Sequence, residues 1–393
     1  MGLLPLLVSP LPAAAGGSGT LFALDIQRSS VAIVDPASGS LTPLADVSLP
    51  PDQPGPGWSS SMVVDPSTHQ LFLVRIVSDF TVFPPVEFDQ LLSVNTQSGA
   101  VAVSPALARP INSLALDASN GALFGLTADC CPSQIVRLDP VSGTETPLVD
   151  LPGDRFSIMA IAPATHLLYV DSDSGPFPPT STMLTVNTLA GDIAQSPPLT
   201  IGVRSLVYDT SSGALFGVTF FPPHFIRIDP STGVETPLGN YDFGFFLEPG
   251  TAIDSASHTI FFVQDVFDDP ILGPIAHIAS VNDQTGAGVL GGTTNTNIAA
   301  IAFEPTLVTP EGLSADVRSA LESGAIDNSG VASSLLAELN AAAAARSRGD
   351  CGTAAKLYTA FINDVTAQSG KHIAAGTASQ LASEAQVLIA NCP

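Results

Sequence analysis

Three observations predict the fold class: an all-β six-bladed propeller, its closing blade shared by N- and C-terminal strands, with a small all-α helical bundle at the C-terminal end. A unit of alternating apolar runs and Asp/Asn/Ser/Gly turns recurs down the first three quarters of the chain. The two ends of that region supply complementary halves of one unit. Beyond Pro305 the turn residues give way to Ala, Leu and Ser at helical spacing.

The unit is clearest at 111–148, INSLALDASNGALFGLTADCCPSQIVRLDPVSGTETPL, and at 203–238, VRSLVYDTSSGALFGVTFFPPHFIRIDPSTGVETPL. Its most regular landmark is an Asp or Asn with Gly four residues on: Asp35 and Gly39, Asn95 and Gly99, Asp139 and Gly143, Asn187 and Gly191, Asp229 and Gly233, Asn282 and Gly286. An Asx side chain accepts from the backbone two residues later and Gly takes positive φ, so these are turns, each closing the third strand of its unit. Such isolated copies do not form the clustered oxygen set of a calcium site. An earlier turn joins the first two strands, at Asp65 and His69, Asp117 and Gly121, Pro163 and His166, Asp209 and Gly213, and Asp254 and His258. The sixth unit lacks that turn. GTLFAL at 19–24 is a second strand without a first, and NIAAIAFEP at 297–305 is a first strand without a second. Four-strand units at this period are propeller blades, and splitting one between the ends closes the ring without free edges. Residues 18–305 are assigned to the propeller, with 1–17 as a signal-like or disordered leader.

Composition narrows the partners. A net charge of −24 repels phosphate backbones, so no nucleic-acid partner is expected. The chain is 45% hydrophobic, yet past the N-terminus no run reaches the ~18 apolar residues of a spanning helix, and no transmembrane segment is expected. The start, MGLLPLLVSPLPAAAGG, has an apolar stretch and an Ala triplet like a cleavage site but no basic n-region. The expected location is secreted, periplasmic or cell-surface.

After a linker at 306–312, residues 313–393 read as four helices at 314–324, 329–347, 351–369 and 377–390. Leu357, Phe361, Ile362 and Val365 fall on one stripe of the third, and Asp350 is its expected cap. Thr377 with Gln380 reads as a capping box for the fourth. Short links between amphipathic helices imply an antiparallel bundle. The stretch LYTAFINDVTAQSGKHI at 357–373, preceded by SLLAELNAAAAARSRGDCGTAAKLY and followed by a helix ending QVLIANC, resembles the FIMAH domain of secreted bacterial proteins. That resemblance implies an extracellular accessory or binding module. The blades themselves, through LFGLT at 123–127 and RIDPSTG at 227–233, resemble those of secreted bacterial propellers, a likeness that specifies the blade and little chemistry.

Cys351 opens the third helix and Cys392 follows the fourth, so a helical hairpin brings them together and a disulfide is the natural reading, in an oxidising compartment. Cys130 and Cys131 are adjacent in a loop, as a vicinal disulfide or as thiols. No CxxC or HxxxH spacing supports zinc.

Loops joining second to third strands are rich in Phe, Pro and Asp. Phe80, Phe83, Phe88, Phe177, Phe220, Phe221, Phe225 and Phe267 would crowd one face as a binding surface for a protein, small-molecule or glycan ligand, or else bury one another. The leading reading is a non-catalytic binding protein without a cofactor. The alternative is a hydrolase resembling six-bladed calcium-dependent lactonases, whose Glu/Asn/Asp constellation sits on the axis. Here the innermost-strand starts offer Asn112, Asn295 and Asn297 as metal ligands, and carboxylates are scarce. No GxSxG elbow, HExxH helix or base–nucleophile pair is legible, so no catalytic residue is assigned.

Overall fold

Apolar runs of four to eight residues between turn clusters leave the inner strands of each unit one choice, to bury both faces between neighbouring sheets. The computed structural model describes residues 19–49, 57–79, 83, 86–127, 132–152, 155–174, 180–200, 202–219, 224–238, 246–266, 275–294, 296–306 and 308–390. They fall into two compact units, Met1–Pro305 and Thr306–Pro393.

The first unit is six four-stranded antiparallel sheets. Blade 1 holds β1 (Gly19–Asp25), β2 (Ser30–Val34) and β3 (Leu41–Asp46). Blade 2 is β4 (Gly57–Asp65), β5 (Gln70–Asp79), β6 (Val86–Asn95) and β7 (Val101–Ala106). Blade 3 is β8 (Ile111–Asp117), β9 (Ala122–Thr127), β10 (Gln134–Leu138) and β11 (Glu145–Asp150). Blade 4 is β12 (Arg155–Ala162), β13 (Leu167–Ser174), β14 (Thr180–Asn187) and β15 (Ile193–Pro198). Blade 5 is β16 (Val203–Asp209), β17 (Ala214–Thr219), β18 (Phe225–Ile228) and β19 (Glu235–Pro237). Blade 6 is β20 (Phe246–Asp254), β21 (Thr259–Val266), β22 (Ile275–Asn282) and β23 (Gly288–Thr293). Last comes β24 (Ile298–Pro305), which returns to blade 1 as its innermost strand.

Closure is by hydrogen bonding as well as by packing. β1 pairs antiparallel with β2 on one side and β24 on the other, with Leu21 opposite Phe303 and Thr20 opposite Glu304. Across the same join the Thr296 hydroxyl donates to Asp25 Oδ1 at 2.7 Å, and the Ile26 N–H donates to the Asn297 carbonyl at 3.1 Å. The core is divided among the seams, each of which carries its own cluster. Phe22, Leu24 and Val31 meet Leu71 and Leu73 between blades 1 and 2, and Phe225 and Phe216 meet Phe262 and Ile260 between blades 5 and 6. At the seam of blades 6 and 1 the backbones touch. A Cβ on Gly292 would collide with the Ser38 backbone, so only glycine fits there.

The third-to-fourth strand turns form as the Asx–Gly spacing predicts. In each, the Gly N–H donates to the carbonyl of the Asx four residues earlier, as Gly39 does to Asp35 at 2.8 Å. The Asx side chain accepts from the amide two residues on.

The second unit is a four-helix bundle of α1 (Pro310–Glu322), α2 (Ser329–Ser347), α3 (Cys351–Gln368) and α4 (Ala375–Ala390). Each helix packs on the next and α4 returns to α1. Leu313, Val317, Leu335, Leu339, Tyr358 and Phe361 are fully buried at its centre. Asp350 caps α3, accepting from the Thr353 N–H at 3.0 Å as expected. The expected capping box on the last helix does not form. That helix begins two residues earlier, at Ala375, so Thr377 lies inside its first turn, and Gln380 donates instead to Glu384 at 2.9 Å.

Candidate functional site

The six innermost strands surround a central channel of about 240 Å³. Hydroxyls from Ser60, Ser61, Ser113, Ser205 and Thr251 precede the apolar lining residues along their strands. The polar end is therefore where the inner strands start, on the face that carries the second-to-third strand loops. The hydroxyls tie neighbouring blades together. Ser61 accepts from the Leu114 N–H at 2.9 Å, and Ser205 and Thr251 share a hydrogen bond of 2.7 Å. Among the described lining residues there is no carboxylate, imidazole or amide. Asn112 is exposed at the second position of β8, and only its carbonyl is engaged, accepting from Ser59 at 2.9 Å. Asn297 is half-buried with its side-chain oxygen unpartnered, and Asn295 lies outside the described residues. The structure does not bring Asn112 and Asn297 into the channel lining, and hydroxyls alone are a poor donor set for a hard cation.

The blades around this mouth alternate. In even blades the second and third strands are long, 10 and 10 residues in blade 2 and 8 and 8 in blades 4 and 6. In odd blades they are 7 and 5, 6 and 5, and 6 and 4. At a rise of roughly 3.3 Å per residue, the even hairpins extend further beyond the channel rim. Phe83, at the tip of the longest, is 98% exposed, and Phe88 on the same hairpin is half-buried. Phe225 departs from its expected place at the surface. It is buried, with its ring 4.9 Å from that of Phe262, because it occupies the inward position opposite Val218 in blade 5. Phe80, Phe177, Phe220, Phe221, Phe267, Cys130 and Cys131 lie outside the described residues.

The opposite face carries a feature that motif reasoning missed. His69, His166 and His258, one per even blade, occupy positive φ of 54–55° where the odd blades have Gly121 and Gly213. Each reaches back to an acid in the last two residues of the innermost strand of the preceding odd blade. His69 Nδ1 lies 2.7 Å from Glu304, His166 Nδ1 2.7 Å from Asp117, and His258 Nδ1 3.5 Å from Asp209. Asp117 and Asp209 are wholly buried. A main-chain bond fixes each histidine, its carbonyl accepting from the N–H of Thr96, Thr188 or Asp283. The odd blades place Pro36, Pro140 and Pro230 at that position, where no N–H exists to give. The sequence signal is this pairing of His with Asn-Thr or Asn-Asp in alternate blades, visible once the repeats are aligned two at a time.

At His258 alone a second carboxylate is present, with Asp283 Oδ1 3.2 Å from Nδ1. Burial, and then the charge of Asp209, pushes the Asp283 carboxyl up to about 6. Ser211 Oγ stands 3.4 Å from the same nitrogen but bonds Asp209 at 2.8 Å, so it is not an activated nucleophile.

Comparison with known proteins agrees with both units. Residues 310–390 match the FIMAH domain. Among solved structures, a chain of the crystal structure of the Nidogen/Laminin complex aligns at 10% identity with a TM-score of 0.53, covering 73% of this chain and 98% of that one. TolB from Acinetobacter baumannii aligns at 10% identity and a TM-score of 0.49, over 76% of this chain and 69% of that one. No curated protein matches in sequence. At these identities the likeness is one of fold. No helix among the described residues is long and apolar enough to cross a membrane.

Proposed function

We propose that the chain is a non-catalytic binding protein that holds a protein partner on the loop face of the propeller, around the channel mouth. The observation that carries this is the trio of extended even-blade hairpins, one of which presents Phe83 with its ring almost fully in solvent. An aromatic at a loop tip gains apolar burial only from a partner, and aromatic anchors dominate protein interfaces. Among the described residues the hydroxyl-lined mouth supplies neutral donors and acceptors to a bound surface. The solved Nidogen/Laminin complex, a chain of which shares the fold, is an assembly between proteins. Together with the FIMAH domain at 310–390, this supports an extracellular, periplasmic or cell-surface setting, in which a Cys351–Cys392 disulfide would persist. Cys351 is not a free thiol, and Cys392 lies outside the described residues.

The test is cross-linking capture from the cell-envelope and culture fractions of the source organism. Wild type is compared with Phe83→Ser and with a variant whose β5–β6 hairpin is shortened to the length of an odd-blade hairpin. Partners lost in both variants, with thermal stability unchanged, would support the reading. Partners retained by both would overturn it.

A further inference from the structure

The three interblade histidines are repeats of one device, so two of them serve as internal controls for the third. In blades 2 and 4 the device is complete with a single acid. His69 and His166 each sit 2.7 Å from one carboxylate, and Thr96 and Thr188 use both backbone N–H and hydroxyl on the histidine carbonyl. In blade 6 the backbone bond is kept, Asp283 N–H to His258 O at 3.0 Å, while the hydroxyl is replaced by a carboxylate. That side chain is 1% exposed, its Oδ1 meets His258 Nδ1 at 3.2 Å, and its Oδ2 has no hydrogen-bond partner. A buried carboxylate with one oxygen unpartnered is costly, and a second buried carboxylate beside it raises the cost. Nothing in the structural role of the turn requires it, since Thr fills that role twice in the same ring.

We propose that Asp209, His258 and Asp283 form a site for one divalent transition cation of the zinc class, clasping the seam between blades 5 and 6. One ligand atom from each residue lies within 4.8 Å of the others. The distances from His258 Nδ1, 3.5 Å to Asp209 and 3.2 Å to Asp283, match what a tetrahedral ion demands. Ligands about 2.1 Å from such an ion stand about 3.4 Å apart. The donor set of one imidazole and two carboxylates suits zinc or manganese better than calcium, which takes oxygen alone. The second ring nitrogen already has a partner, the Gln284 amide nitrogen at 3.0 Å. Metal on Nδ1 requires that amide to be turned over, so that its oxygen accepts from Nε2–H and Nδ1 offers its lone pair. Asp209 is fixed in turn by the Ser211 and Ser212 amides at 2.9 and 3.1 Å. The His258 side chain is 27% exposed, which leaves a route of entry and an open coordination position.

The experiment uses the full-length, tag-free chain stripped with chelator and titrated with zinc ion alone, by calorimetry and by competition with a chromophoric chelator. Asp283→Thr installs the residue of blades 2 and 4, and His258→Gly installs that of Gly121 and Gly213, so both variants fit the local backbone. Wild type should bind one more zinc ion than either variant, and zinc should raise its melting temperature. Affinity at this site should fall at least tenfold in both variants, while His166→Gly leaves it unchanged. Zinc stoichiometry, affinity and thermal shift that are the same in wild type and Asp283→Thr would overturn the proposal. So would a wild-type chain that binds no zinc.

Discussion

At the scale of the residue, two of the candidate phenylalanines, Phe83 and Phe225, make opposite demands. Phe225 stands where the sibling blade has Ile135, and both are buried at the same step of the third strand. The sequence FFPPHFIRI places a strand start beside a loop of similar apolarity, and periodicity alone does not mark the boundary between them. Aligning IVRL of blade 3 with FIRI of blade 5 does mark it. Truncating a buried ring removes its transfer energy and leaves a cavity, so Phe225→Ala should destabilise the propeller by ~3–5 kcal/mol. Phe83→Ser removes a ring that touches little and should shift stability by about 0.5 kcal/mol or less. Chemical denaturation midpoints decide it, and equal midpoints for the two variants would contradict these placements. The histidines were harder to read. Their ligand-like role depends on a neighbour in another blade, which turn chemistry within one unit does not reveal.

At the scale of the element, the helices were legible to within a few residues because each shows an apolar stripe and a polar break. Two starts differ: α1 begins at Pro310, capped by Thr309, inside the expected 306–312 linker and four residues before the expected 314, and α4 begins earlier than a Thr377–Gln380 cap implies, through the Ala378 N–H to the Ala374 carbonyl. Less legible were two acid contacts between helices. Glu338 on α2 is pushed up to about 7 by burial and by Asp364 on α3. Glu384 on α4 is pushed up to about 6 by burial, with Asp316 on α1 raising it further. A carboxyl whose pKa is higher folded than unfolded holds a proton that the unfolded chain has already released. Stability from this source is therefore full below about pH 4.5 and is lost as pH rises through 6 to 7. The calorimetric transition of the helical unit should move to lower temperature between pH 5 and pH 7.5, and Glu338→Gln should reduce that shift and raise the transition at pH 7.5. A transition that rises over this window in the wild type would refute the assignment. The proposed Cys351–Cys392 bond would join the same two helices. Closing a loop of about 40 residues is worth up to ~4 kcal/mol, so Cys392→Ser should lower the same transition. Peptide mapping without reductant should recover the two cysteines linked, and free thiols at both in oxidised protein would end the proposal.

At the scale of the whole molecule, six units were countable from the Asx–Gly landmark, and the missing first strand was assigned to 297–305 because only that segment lacked a partner. The pairing of alternate blades did not emerge from that count. It lies in differences between copies, His against Gly and Asn-Thr against Asp-Pro, which a search for sameness discards. The seams it reveals bear on how the ring holds together. β24 contributes Ile301 and Ala302 to the cores on its two sides, and Glu304 supplies the carboxylate for His69 across the seam to blade 2. Removing it therefore strips hydrogen bonds from β1, opens two seam cores and leaves His69 without its acid. A chain ending at Thr309 keeps all of these and should unfold with the propeller transition of the parent. A chain ending at Thr296 exposes the inner edge of β1 at Leu21–Leu24, residues that are almost fully buried in the closed ring. An apolar strand with an unpaired edge invites pairing with another chain, so this product should aggregate or melt far below the longer one. Light scattering and calorimetry on the two proteins decide the matter. Equal solubility and equal transitions would mean that the ring does not depend on its C-terminal strand.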